Sequence, residues 1–106
     1  MADLITIAHT DDVAPGRVRY VEVDGRRLAL CNVDGAFYLI DDVCTHDGGS
    51  LDQGELFGVE IECPRHGARF DVRTGRVTRL PAIIPIKTYP VRVEDGAVLV
   101  DKDALG

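Results

Sequence analysis

Apolar and polar residues alternate with a period of two along much of this chain. Arg17-Val18-Arg19-Tyr20-Val21-Glu22-Val23 is the clearest run, and residues 4–8 are rich in β-formers. Three Asp-Gly dipeptides, at 24–25, 34–35 and 95–96, each lie between such runs and predict tight hairpins. The pattern predicts strands at 4–8, 17–23, 27–33, 36–40, 86–93 and 97–101, and shorter ones at 59–62 and 68–71. Thr74-Gly75 marks a further turn and Ala14-Pro15-Gly16 an early one. No useful helix period, repeat, linker or low-complexity tract is present. The expected fold is all-β, an antiparallel β-sandwich, and 106 residues give room for one domain (1–106) with one modest core.

Two short clusters interrupt the alternation, Cys44-Thr45-His46 and Cys63-Pro64-Arg65-His66, with sixteen residues between them. They read C-x-H-x16-C-x2-H. Each contributes one sulfur that ionises to thiolate and one imidazole. Two Cys with two His are the ligand count of a [2Fe–2S] centre in which His replaces Cys on one iron. Gly48 and Gly49 follow the first pair and Gly67 the second. Glycine lets backbone N–H groups approach a metal–sulfur core closely. The same four donors would also suit a structural Cys₂His₂ zinc site, but zinc sites usually space paired ligands by two or more residues, and C-x-H is tighter.

The pattern resembles the Rieske iron–sulfur family, and the resemblance spans nearly the whole chain. Cys44-Thr45-His46 matches the first cluster-binding loop. Cys63-Pro64-Arg65-His66-Gly67 matches the second, continued by Phe70-Asp71 and Thr74-Gly75. Leu80-Pro81-Ala82 stands where the family carries a proline-containing loop over the cluster. The resemblance implies a Rieske fold, a sandwich base bearing a small two-loop cluster-binding subdomain at about 42–82. It also implies one [2Fe–2S] cluster held by Cys44 and Cys63 on one iron and His46 and His66 on the other, with the imidazole side nearer the surface.

Within the family, the chain is most similar to small ferredoxins that pass electrons from a flavin-dependent reductase to a Rieske non-haem iron oxygenase of aromatic-ring hydroxylation. High-potential members carry an extra Cys in each loop and two hydroxyl donors to sulfur. Those positions here are Gly49, Arg65, Ala68 and Phe70. With no loop-tying disulfide and no hydroxyl donors, a potential low in the Rieske range is implied. The chain cannot itself be the oxygenase. A mononuclear site of two His and one carboxylate needs further histidines, and only His9 remains, read as a surface residue. No other catalytic set is visible, and Gly48-Gly49-Ser50 lacks the lysine of a phosphate loop. The expectation is an electron carrier, not an enzyme. A small subunit of a nitrite reductase-like enzyme, an accessory protein of iron–sulfur assembly and, remotely, a zinc module are the alternatives.

Charge and cysteine usage sharpen the picture. Net charge is −6. Residues 41–62 hold Asp41, Asp42, Asp47, Asp52, Glu55, Glu60 and Glu62 with no Lys or Arg, whereas 65–79 hold five Arg and one acid. Such a split either pairs internally or makes a bipolar rim that steers redox partners. Nucleic-acid binding is not expected of a chain this acidic. Cys31, in the strand-like run 27–31, reads as a small buried apolar residue. No disulfide framework, apolar membrane span or secretory signal is apparent, so a cytoplasmic protein is expected, monomeric like many family ferredoxins of this size.

Overall fold

The computed structural model describes residues 3–45 and 48–105. Among these, eleven strands form three antiparallel sheets. The first sheet has the order β1 (Leu4–His9), β11 (Ala97–Asp101), β10 (Val91–Glu94). The second runs β2 (Val18–Val23), β3 (Arg26–Val33), β4 (Ala36–Asp41), β9 (Thr88–Tyr89). The third runs β5 (Glu55–Phe57), β6 (Glu60–Glu62), β7 (Arg69–Asp71), β8 (Val77–Arg79). The all-β expectation holds.

Local chemistry made the hairpins legible. Asp24, Asp34 and Asp95 all sit at φ near +50°, each followed by a glycine at positive φ. This is the type I′ geometry whose twist suits two-residue hairpin loops. The turns join β2 to β3, β3 to β4 and β10 to β11 in register.

The expected single strand over 86–93 is instead two. Thr88–Tyr89 pairs with β4, and Val91–Glu94 pairs with β11 in the other sheet. Pro90 stands between them, where a residue without an N–H cannot continue a ladder. The break lets one segment belong to both layers. β5 and β8 were not expected. Each has three residues and is held by its partner strand rather than by its own pattern.

β3 explains how the layers meet. Arg26–Val33 contains Leu28-Ala29-Leu30-Cys31, four residues with no solvent exposure. Successive side chains point to opposite faces. Leu28 and Leu30 join Val21, Leu39, Tyr89, Val98 and Val100 in the sandwich core. Ala29 and Cys31 join Ile40, Cys44, Ile61, Cys63 and Phe70 in a second core beneath the third sheet. One strand thus carries the sandwich on one face and the third sheet with its loops on the other. Each fully buried Leu, Ile or Phe contributes about 1.5–3 kcal/mol.

Candidate metal centre

Cys44 and Cys63 open two loops with the same internal hydrogen bonds. In the first, Cys44 N–H donates to Gly49 O (2.7 Å) and Gly48 N–H to Cys44 O (2.8 Å). In the second, Cys63 N–H donates to Ala68 O (2.7 Å) and Gly67 N–H to Cys63 O (3.1 Å). The offsets are identical, five residues and four. Gly48 and Gly67 have φ of +74° and +75°, the left-handed region that residues with a Cβ disfavour.

Both cysteines are buried, at 0% and 1% exposure, in the same apolar core as Ala68 and Phe70. His66 is exposed. His46, the fourth candidate ligand, lies outside the described residues, as does Asp47. None of the three cysteines forms a disulfide among the described residues. Among them, too, no group of three metal-binding side chains converges on one point. A two-iron cluster asks for something else: two ligands on each iron, here sulfur on one and imidazole on the other. Two sulfurs on parallel loops in a dry core, with a histidine on the solvent side, fit that division.

A third segment covers the loops. Thr45 Oγ1 donates to Ile84 O (2.5 Å), Ile86 N–H donates to Gly75 O (2.9 Å), and Ala82 is fully buried. Leu80, Ile83 and Ile84 remain exposed at 72%, 79% and 57%. The segment that begins with Leu80-Pro81-Ala82 is therefore tied, through Ile84 and Ile86, to both the first loop and the turn after β7.

The acidic first segment is less of a surface field than its composition suggests. Asp42 is only 2% exposed. Tyr89 donates its hydroxyl to Asp41 Oδ1 (2.6 Å), and burial together with that carboxylate pushes the phenol up to about 12. Glu62 and Glu60 pair with Arg69 at 2.8 and 3.4 Å, and Arg79 lies 3.6 Å from Glu62. Arg69 also stacks over Phe57, 4.2 Å from the ring centre. Arg73 pairs with Asp71 at 2.9 Å. Much of the charge split is thus internal pairing across the third sheet.

Composition missed the Asp42–Ser50–Asp52 group. Burial pushes the Asp42 carboxyl above the usual carboxylate range, opposed by the Ser50 hydroxyl. At Asp52 burial also acts upward, but hydrogen bonding, first from Ser50, holds the carboxyl below it. Cys31 is fully buried with its thiol pushed up to about 12 by burial, an inert core residue as expected. His9 is exposed, its N–H donating to Asp12 Oδ2 at 2.9 Å. Among the described residues no helix is long and apolar enough to cross a membrane.

Residues 3–90 match the family model for the Rieske [2Fe-2S] domain. The chain belongs to the Rieske [2Fe–2S] family. A relative among Rieske proteins, the ferredoxin component of the p-cumate 2,3-dioxygenase system of Pseudomonas putida, is 42% identical over 106 residues, covering 98% of this chain and 90% of the relative. A Sphingomonas yanoikuyae B1 ferredoxin superposes with a TM-score of 0.89 at 40% identity, covering 94% of this chain and 99% of that one. A further match is to the complex of reduced oxygenase and oxidized ferredoxin in carbazole 1,9a-dioxygenase. Its TM-score is 0.87 at 37% identity, with 92% of each chain covered. The cofactor of this Rieske chain is an iron–sulfur cluster.

Proposed function

We propose that this chain is the ferredoxin of an aromatic-ring-hydroxylating oxygenase system, a one-electron carrier and not itself a catalyst. In this reading residues 1–106 form one domain. Residues 42–82 hold one [2Fe–2S] cluster through Cys44, His46, Cys63 and His66. The observation that carries it is the pair of identically closed loops on a shared buried core, in a chain 42% identical to a dioxygenase ferredoxin.

The cluster supplies a single electron-accepting site. The protein's residues do the rest. Cys44 and Cys63 would bind the cluster through sulfur, a role supported by their burial among Ala68, Phe70 and Ala82. Exposed His66 marks the side from which an electron leaves, because transfer favours the shortest path to the surface. Leu80, Ile83 and Ile84 provide an exposed apolar patch, joined to the first loop through Thr45 and Ile84, for a partner to desolvate.

The partners are a flavin-dependent reductase, which donates, and a terminal Rieske non-haem iron oxygenase, which accepts. The compartment proposed is the cytoplasm. The test is reduction of the holoprotein by NADH and such a reductase, followed by its reoxidation on mixing with a terminal oxygenase, aromatic substrate and O₂. Catalytic transfer in both steps is expected. A holoprotein that such reductases do not reduce, but a nitrite reductase flavoprotein does, would replace this reading with the subunit alternative.

A further inference from the structure

Asp42 is a carboxylic residue buried to 2% exposure, and no ion pair to it occurs among the described residues. Burying such a group without a cation costs several kcal/mol unless its oxygens receive strong hydrogen bonds. Both oxygens are occupied. Oδ1 accepts the backbone N–H of Asp52 at 2.6 Å, and Oδ2 lies 2.8 Å from Ser50 Oγ. Ser50 Oγ also contacts Asp52 Oδ1. Since a hydroxyl carries one proton, it donates to one carboxyl group at a time.

The main chain of Asp42 is fixed as well. Its N–H donates to Arg27 O in β3 (3.1 Å), and the preceding N–H, of Asp41, donates to Lys87 O (3.0 Å). Asp42 is therefore bolted to the central strand by its backbone, while its side chain reaches across the base of the first loop to the far end. The span so closed, 42–52, contains Cys44 and His46 and ends beside buried Leu51. Inside it lies the smaller closure from Cys44 to Gly49. The second loop needs no such device, because β6 and β7 flank it directly and pair with each other.

We infer that Asp42 is the positioning residue of the first ligand loop: its side chain ties the loop's two ends together and so fixes Cys44 relative to the central strand. This rests on the ligand set proposed above. What the tie requires is an acceptor oxygen for Asp52 N–H. Asp42→Asn keeps one and leaves Ser50 able to accept from the new amide. Asp42→Ala removes both contacts.

The test uses isolated holoprotein with no redox partner. Cluster loss is followed by visible absorbance in the presence of an iron chelator, and the reduced cluster by EPR. Asp42→Ala should lose its cluster about 10- to 100-fold faster than wild type, if the rate follows the affinity that residues orienting metal ligands typically contribute, with broadened EPR lines. Asp42→Asn should keep the wild-type line shape and lose cluster within about threefold of the wild-type rate, well short of the loss for a removed contact. Val98→Ala, a truncation in the sandwich core, should lower Tm without this loss.

Wild-type rates and line shape in Asp42→Ala would overturn the inference. So would an Asp42→Asn protein as labile as the alanine variant, or equal lability in Val98→Ala. If Asp42→Ala does not accumulate with a cluster, Asp42→Leu, which fills the space without an acceptor oxygen, takes its place: faster loss than in Asp42→Asn is expected, and loss at the Asp42→Asn rate would overturn the inference. A wild-type protein without iron and labile sulfide would instead sink the ligand assignment itself, so the two failures are separable.

Discussion

Gly48 and Gly67 are equivalent residues in two different loops. Each stands four positions after a buried cysteine, each has φ near +75°, and each donates its N–H to that cysteine's carbonyl. The histidine offset differs by one residue, His46 at two and His66 at three, yet the closure does not differ. The loops are thus two copies of one turn rather than of one motif, and the turn fixes where each sulfur begins.

Removing a ligand should remove the cluster more readily than it removes the fold. The sandwich core of β1–β4 and β9–β11 contains neither Cys44 nor Cys63. Wild-type protein should carry about two iron and two acid-labile sulfide per chain. Cys63→Ser and His66→Ala should lose or alter the cluster and lower Tm, while far-UV CD keeps its β character. Stoichiometric zinc without labile sulfide in the wild type would favour the Cys₂His₂ zinc alternative.

Gly75 should tolerate no side chain. Its φ is +81°, and an added Cβ would stand 2.0 Å from Ile86 O, the backbone of the segment that covers the loops. The same glycine's carbonyl accepts Ile86 N–H. Gly75→Ala should therefore destabilise by more than the roughly 1–3 kcal/mol of left-handed strain alone. Gly25→Ala, at φ +79° with open space around it, should show only that strain. Chemical denaturation of the two variants side by side gives the comparison, and equal losses would remove the steric argument.

What the sequence made legible follows from how local each feature is. The Asp-Gly turns and the alternation of β2 need only neighbouring residues, and they appear where expected. The four candidate ligands were marked by chemistry and spacing. The division of 86–93 is signalled by Pro90, but the apolar pattern continues past it and hides the break. β5 and β8 are too short to show a pattern of their own and form by pairing with their neighbouring strands, as Leu56 opposite Ile61 and Val77 opposite Phe70 show. Asp42 was illegible for a sharper reason. Adjacent Asp41 and Asp42 look alike, and only the packing of β3 and Leu51 decides that the second is buried.

The turn after β7 should weaken in acid. Asp71 accepts from the Arg73 backbone N–H at 2.8 Å and from its guanidinium at 2.9 and 3.1 Å. The guanidinium contact, ahead of burial's opposing effect, holds the Asp71 carboxyl below its usual range. A folded pKa below the unfolded one stabilises fully above the unfolded value near 3.9 and is lost as pH falls through the folded value. Asp71→Asn should cost roughly 1 kcal/mol at neutral pH, since half-exposed Arg73 is screened, and progressively less below pH about 4. A cost that does not change with pH would assign the effect to geometry instead of charge.

Partner docking should be electrostatic only in part. Arg69, Arg73 and Arg79 already pair within the third sheet, and Asp41 and Asp42 are engaged internally. Transfer rates to the oxygenase should fall as ionic strength passes about 0.1 M, where the Debye length is about 10 Å. Charge reversal at exposed Arg65 or at Asp47 should change the rate more than reversal at Lys102, which lies 3.8 Å from Asp24. The apolar patch supplies a component that salt does not screen, so Ile83→Asp should slow transfer at high salt as well. Stopped-flow transfer across a salt series checks both, and rates indifferent to salt and to the charge reversals would leave the patch as the whole of docking.

The reduction potential should lie near the bottom of the Rieske span, at about −150 mV. Ala68 and Phe70 are both fully buried in the core that holds Cys44 and Cys63, and neither has a hydroxyl to donate. Added negative charge on the reduced cluster therefore goes unstabilised at these two positions. The potential should change little with pH around neutrality. Ala68→Ser adds one oxygen beside the Cys63 N–H to Ala68 O bond, and Phe70→Tyr adds one at the ring's far end. Each should raise the potential where its hydroxyl reaches a sulfur, because a donor stabilises the reduced state more than the oxidised one. Protein-film voltammetry across pH measures all three proteins. A wild-type value above roughly +100 mV, well into the upper part of the Rieske span, would mean that donors other than side-chain hydroxyls set the potential, and would reopen a respiratory-type role.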